Sequence, residues 1–141
     1  MSQNARQPIS ILIVDDDEID VRTLIRGLHK QHIPNPVFVA SDGIEGLQML
    51  RGTGGKEKLP QPCLILLDLN MPRANGIEFL REIRGDEELR DSTIFVFTTS
   101  DSEQDKAAAY REHVAGYLLK SEAGEHYTKA VKLLEDIIRC A

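Results

Sequence analysis

The stretch ISILIVDDD, residues 9–17, sets six residues, apolar but for Ser10, directly against three carboxylates. The apolar run is too short for an ordinary helix and has no polar face, so it reads as a strand buried on both sides. The pattern returns at CLILL, residues 63–67, and TIFVF, residues 93–97, and in shorter form at residues 37–40 and 115–119. Segments of helical period lie between these runs. Residues 17–32 carry Val21, Leu24, Ile25 and Leu28 on one face. A second helix, ending near Arg51, has Ile44, Leu47 and Leu50 inward, and residues 77–84 do the same with Phe79, Leu80 and Ile83. Residues 101–114 are helix-like but weakly apolar, with Tyr110, and residues 127–140 point Tyr127, Val131, Leu134, Ile137 and Ile138 inward. Pro34 and Pro36 stop the first helix, Ser41 or Asp42 can cap the second, and residues 52–62 (GTGGKEKLPQP) are a solvent loop. Gly46 is either a helix defect or a point of close packing. Five strands alternating with five helices predict an α/β, doubly wound parallel sheet with helices on both faces.

Composition narrows the function. The chain has 141 residues, enough for one domain, expected over residues 9–141 behind a polar, flexible segment 1–8. Lys and Arg number 17 against 23 Asp and Glu, a net charge of −6. That balance argues against nucleic acid or an anionic membrane as partner. No apolar run nears the roughly 20 residues of a membrane span. Residues 1–8 lack the apolar core of a secretory signal. Cys63 and Cys140 are too few for a disulfide framework or zinc site, and His29, His32, His113 and His126 share no ligand spacing. A reducing cytoplasm is the expected location.

Ligands of such sheets bind beyond the carboxyl ends of the strands. Asp15, Asp16 and Asp17 follow the first strand, Asp68 and Asn70 the third, Thr98, Thr99 and Ser100 the fourth, and Lys120 the fifth. Clustered carboxylates call for a cation, and an oxygen-only set suits Mg²⁺. A carboxylate can also form an aspartyl phosphate. Asp68 stands alone at a central strand end and is the candidate nucleophile, while Asp15 and Asp16 form a natural metal pair. Lys120 and Thr98 would meet the phosphoryl oxygens. Asp17 reads as a helix N-terminal residue.

The pieces ILIVDD (residues 11–16), LILLDLNMP (64–72) with Asn75-Gly76, FVFTTS (95–100) and GYLLK (116–120) resemble, in order and spacing, the receiver domain of two-component response regulators. The resemblance implies a (βα)₅ flavodoxin-like receiver fold with strand order 2-1-3-4-5. It implies Asp68 as phosphoacceptor, Asp16 as direct Mg²⁺ ligand with Asp15 acting through water, and the Asn70 backbone carbonyl as a further ligand. Thr98 becomes the switch hydroxyl, Lys120 the phosphate-binding amine, and Tyr117 the aromatic that changes rotamer on activation. The implied phosphodonor is a sensor histidine kinase or histidine phosphotransfer protein. Output would pass to a downstream protein through the fourth-helix, fifth-strand, fifth-helix face, with no output domain on the chain. The 52–62 loop, LDLNMPRANG (67–76) and TTSDSEQD (98–105) resemble stand-alone receivers partnered with bacterial phytochrome histidine kinases. Monomer and homodimer both stay open, and that resemblance leans towards the homodimer.

Two positions depart from the family pattern. Ser121 stands where proline usually follows the lysine, so a trans peptide is expected there. Thr99 replaces a commoner alanine. Two other functions use the same residues. A haloacid-dehalogenase-type phosphatase would use Asp15–Asp17, Thr98 and Lys120, but it leaves Asp68 unexplained and needs a later acidic pair. A degenerate receiver, with Ser121 as its sign, would be a binding module that takes no phosphate.

Overall fold

The computed structural model describes residues 9–71 and 75–140. The expected flexible segment 1–8 and part of the 72–76 turn lie outside them. The elements are β1 (Ser10–Val14), α1 (Glu18–Lys30), β2 (Val37–Ala40), α2 (Gly43–Arg51), β3 (Cys63–Leu67), α3 (Gly76–Gly85), β4 (Thr93–Thr98), α4 (Glu103–Arg111), β5 (Gly116–Leu119) and α5 (Thr128–Cys140), with 3₁₀ turns at Lys120–Glu122 and Glu125–Tyr127. The strands form one parallel sheet in the order β2-β1-β3-β4-β5.

Alternate residues of the central strands feed two cores. Leu12, Val14, Ile65 and Leu67 face Leu50 of α2, Phe79, Leu80 and Ile83 of α3, and Ala109 of α4. Ile11, Ile13, Leu64, Leu66, Phe95 and Phe97 face Leu24 and Leu28 of α1 and Val131 and Leu134 of α5. A strand buried on both sides therefore needs no polar face, as its sequence implied. A Cβ on Gly46 would lie 3.0 Å from the Phe79 ring and 3.3 Å from Val14 Cγ2, so this glycine marks close packing of α2 on β1 and α3.

Several boundaries differ from the expectation. The first helix ends at Lys30 rather than residue 32, because His32 turns left-handed at φ 56°. The fourth shrinks from residues 101–114 to Glu103–Arg111: Ser102 Oγ caps it on the Asp105 N–H, and His113 leaves it at φ 58°. Tyr127 precedes α5 in a 3₁₀ turn at φ 59° instead of lying on the helix. The 52–62 loop is exposed except for Leu59, which is buried and whose N–H donates to the Met49 carbonyl at 2.9 Å. Among the described residues the cis peptide is Gln61–Pro62, and Lys120–Ser121 is trans as expected.

Candidate functional site

Ladder hydrogen bonds carry β1 and β3 one residue beyond their ends. The Asp15 N–H donates to the Ala40 carbonyl at 3.0 Å, and the Asp68 N–H to the Val14 carbonyl at 2.9 Å. The two carboxylates thus leave adjacent central strands at one end of the sheet, both buried. Asp16 is exposed beside them, and one carboxylate oxygen from each of Asp15, Asp16 and Asp68 lies within 4.8 Å of the others. Asp17 turns away as the N-cap of α1, its Oδ1 accepting from the Ile19 and Asp20 N–H groups at 3.0 and 3.1 Å.

The two oxygens of Asp68 have different partners. Oδ1 accepts from Thr98 Oγ1 at 2.7 Å and from the Asn70 N–H at 3.1 Å. Oδ2 accepts from Lys120 Nζ at 3.2 Å. Lys120 is buried and also donates to Asp15 Oδ2 at 2.9 Å and Asp20 Oδ2 at 2.7 Å. The Asn70 side chain donates to Thr99 Oγ1 at 2.8 Å across the mouth of the site. Tyr117, half-buried on β5, donates from its phenol to the Ser100 carbonyl at 2.7 Å, with Lys106 Nζ 5.8 Å from its ring centre.

Burial pushes the Asp15 carboxyl up to about 6, against the pull of Lys120 and the Asp17 N–H. Burial would lower Lys120, but its bonds to Asp15 and Asp20 and the charge of Asp68 outweigh this and raise it, so it stays an ammonium. Asp20 is held below the usual carboxylate range: burial opposes this, and hydrogen bonds from Lys120 and Tyr127 prevail. One ammonium among buried acids leaves the cluster short of positive charge. The donor set is all oxygen, which fits a hard divalent cation.

Asp15, Asp16, Asp68, Thr98 and Lys120 therefore meet at one place, while Asp17 caps α1 and Tyr117 reaches the loop after Thr98 through the Ser100 carbonyl. Asp20 and Tyr127 were not singled out by sequence. The Tyr127 phenol donates to Asp20 Oδ1 at 2.6 Å. No strand-end or periodic signal marked Asp20, since Asp16 precedes the N-cap Asp17 and shares no helix face with it.

The model for the response regulator receiver domain matches residues 11–132. The chain belongs to this family. A receiver of this kind is a signalling protein of two-component systems rather than an enzyme. It is 36% identical over 135 residues to response regulator Rcp1 of Synechocystis, covering 96% of this receiver and 92% of Rcp1. The Mn²⁺-bound form of Rcp1 superposes with a TM-score of 0.83 at 36% identity, over 92% of this chain and 93% of that one. The phosphorylated cyanobacterial phytochrome response regulator RcpA gives a TM-score of 0.78 at 32% identity, over 92% and 90%. No helix among the described residues is long and apolar enough to cross a membrane.

Proposed function

We infer that this receiver is a phosphorylation-dependent switch with Asp68 as its phosphoacceptor. The observation that carries this is the division of the Asp68 carboxylate, with one oxygen on Thr98 Oγ1 and the other on Lys120 Nζ. A carboxylate oxygen of Asp68 attacks the phosphorus of a partner's phosphohistidine. The phosphorus–nitrogen bond breaks, the electron pair returns to the imidazole, and an acyl phosphate forms. Lys120 and the Thr98 hydroxyl then turn from the carboxylate to the phosphoryl oxygens. Asp15, Asp16 and Asp68, with the Asn70 backbone carbonyl, would hold Mg²⁺, which supplies positive charge against that of the phosphoryl group.

The donor is a sensor histidine kinase or histidine phosphotransfer protein, of phytochrome type by the likeness to RcpA. Residues 9–141 act as one receiver unit whose output is contact with a protein target through the α4–β5–α5 face. Two features support this route. Of α4, Ala109 alone is fully buried, so the helix is lightly held and can shift. Tyr117 ties the loop after Thr98 to β5, so a pull on Thr98 reaches Tyr117 through Ser100. The same face, with Tyr110 half exposed on it, is the proposed homodimer contact.

The test is intact-mass measurement after incubation with Mg²⁺ and acetyl phosphate. The expected product carries one labile phosphoryl group, absent from Asp68→Asn and from protein kept in chelator. Phosphate retained by Asp68→Asn, or none on the natural chain with either acetyl phosphate or a cognate kinase, would overturn the assignment.

A further inference from the structure

Lys120 makes its shortest contact not with Asp68 or Asp15 but with Asp20 Oδ2, at 2.7 Å. Asp20 is absent from the acidic trio that could hold a metal. Its other oxygen takes the Tyr127 phenol at 2.6 Å. The Tyr127 ring is itself fixed, standing edge-on to Phe97 of β4 with ring centres 4.9 Å apart, and Lys120 Nζ lies 5.9 Å from that same Phe97 ring. Phe97 immediately precedes Thr98. A chain of contacts thus runs from the segment entering α5, through the first turn of α1, to the amine and back to the strand that bears the hydroxyl.

A lysine side chain has four carbon–carbon bonds to fix and no rigid fork, so an amine that must meet a phosphoryl oxygen at a set place needs outside support. Asp68 cannot give it, because that carboxylate changes chemically on phosphorylation. Asp15 is a candidate metal neighbour whose charge is shared. Asp20 has neither duty, and its bond to Tyr127 fixes its orientation. Ser121 follows Lys120 here, so the chain after the amine lacks the ring constraint of a proline.

We propose that Asp20 and Tyr127 form a positioning pair that holds the Lys120 ammonium in place for the phosphoryl group on Asp68. The role in phosphotransfer rests on Asp68 being the phosphoacceptor. Two near-isosteric variants separate the parts. Tyr127→Phe keeps the ring on Phe97 and every charge but removes the hydroxyl. Asp20→Asn keeps the shape and an acceptor for Tyr127 but removes the charge that grips the amine.

Phosphorylation of Asp68 by acetyl phosphate at saturating Mg²⁺ is expected to slow about fivefold in Tyr127→Phe, the scale of one weakened hydrogen bond to a charged group. Asp20→Asn should slow it at least as much, and the double variant no further than Asp20→Asn, since both act through one unit. The second readout is the ¹⁵N-lysine Nζ resonance of Lys120, assigned with Lys120→Arg and recorded without donor. It should be resolved in the natural chain and broadened in both variants while their melting temperatures stay close to it. An unchanged Lys120 resonance overturns the pair, as do additive rate losses. A faster Asp20→Asn also overturns it, because Asp20 would then be competing with the phosphoryl group for the amine. If the natural chain takes no phosphate, the phosphoacceptor assignment fails, and the Lys120 resonance still judges the pair.

Discussion

Asp15 and Asp16 are adjacent in sequence and opposite in environment, one buried and the other exposed. The difference follows from β1: its last ladder bond is made by Asp15, and the chain turns outward only after it. Burial raises the Asp15 carboxyl to about 6 from an ordinary value of 3.8. A carboxyl raised in the folded state binds its proton more tightly there than in the unfolded chain. Its contribution to stability is therefore complete below pH of about 3.8 and is lost as pH rises through about 6. Urea unfolding of the metal-free protein should show about 1–3 kcal/mol of stability lost across that window. Asp15→Asn, which cannot ionise, should flatten the profile; an equally steep profile in the variant would assign the pH dependence to another group. At this scale Asp68, Thr98 and Lys120 were legible because each directly follows an apolar run of the sequence. Asp20 and Tyr127 were not: one lies inside a helix and the other in a turn that the periodicity assigned to the last helix.

At the scale of elements, local signals set most of the helix starts. Asp17, Asp42, Asn75 and Ser102 each cap a helix by accepting from a backbone N–H two or three residues on. The ends were less legible, since a left-handed histidine or a distant side chain closes them. Arg84 is the strongest case. Its Nε donates to the Glu112 carbonyl at 2.7 Å, Nη1 to those of Arg90 and Ser92 at 2.7 and 2.8 Å, and Nη2 to that of His113 at 3.0 Å. One guanidinium thus ties the end of α3 to the segment entering β4 and to the carbonyls left free after α4. Arg84→Met, which keeps the stem, should destabilise the fold by about 2–4 kcal/mol in urea unfolding. Arg84→Lys should recover less than half of that, because an ammonium cannot reach four carbonyls from one plane. A loss below about 0.5 kcal/mol in Arg84→Met, the level of an ordinary surface change, would mean that water replaces these bonds without cost.

At the scale of the whole molecule, the sheet concentrates negative charge at one end. A cation that binds this folded end and not the unfolded chain must raise stability in proportion to the logarithm of its concentration. Thermal unfolding should therefore shift upward with added Mg²⁺ in the millimolar range. Asp16→Asn should remove most of the shift while changing the metal-free melting temperature little, because Asp16 is exposed. An undiminished shift in Asp16→Asn would place the cation elsewhere.

The sequence alone determined the fold class and the end of the sheet where the polar residues gather. Apolar runs too short for a helix and without a polar face read as strands covered on both sides, and the alternation with helical segments leaves few ways to connect them. It also ordered the carboxylates, hydroxyl and amine along strand ends, since a strand end is a local property. Tertiary structure alone decided what meets Lys120. Its three carboxylate partners lie 52, 100 and 105 residues away, on separate elements. A contact made across the end of a sheet depends on strand order, helix rotation and the turn into α5 together, and no local pattern records their sum.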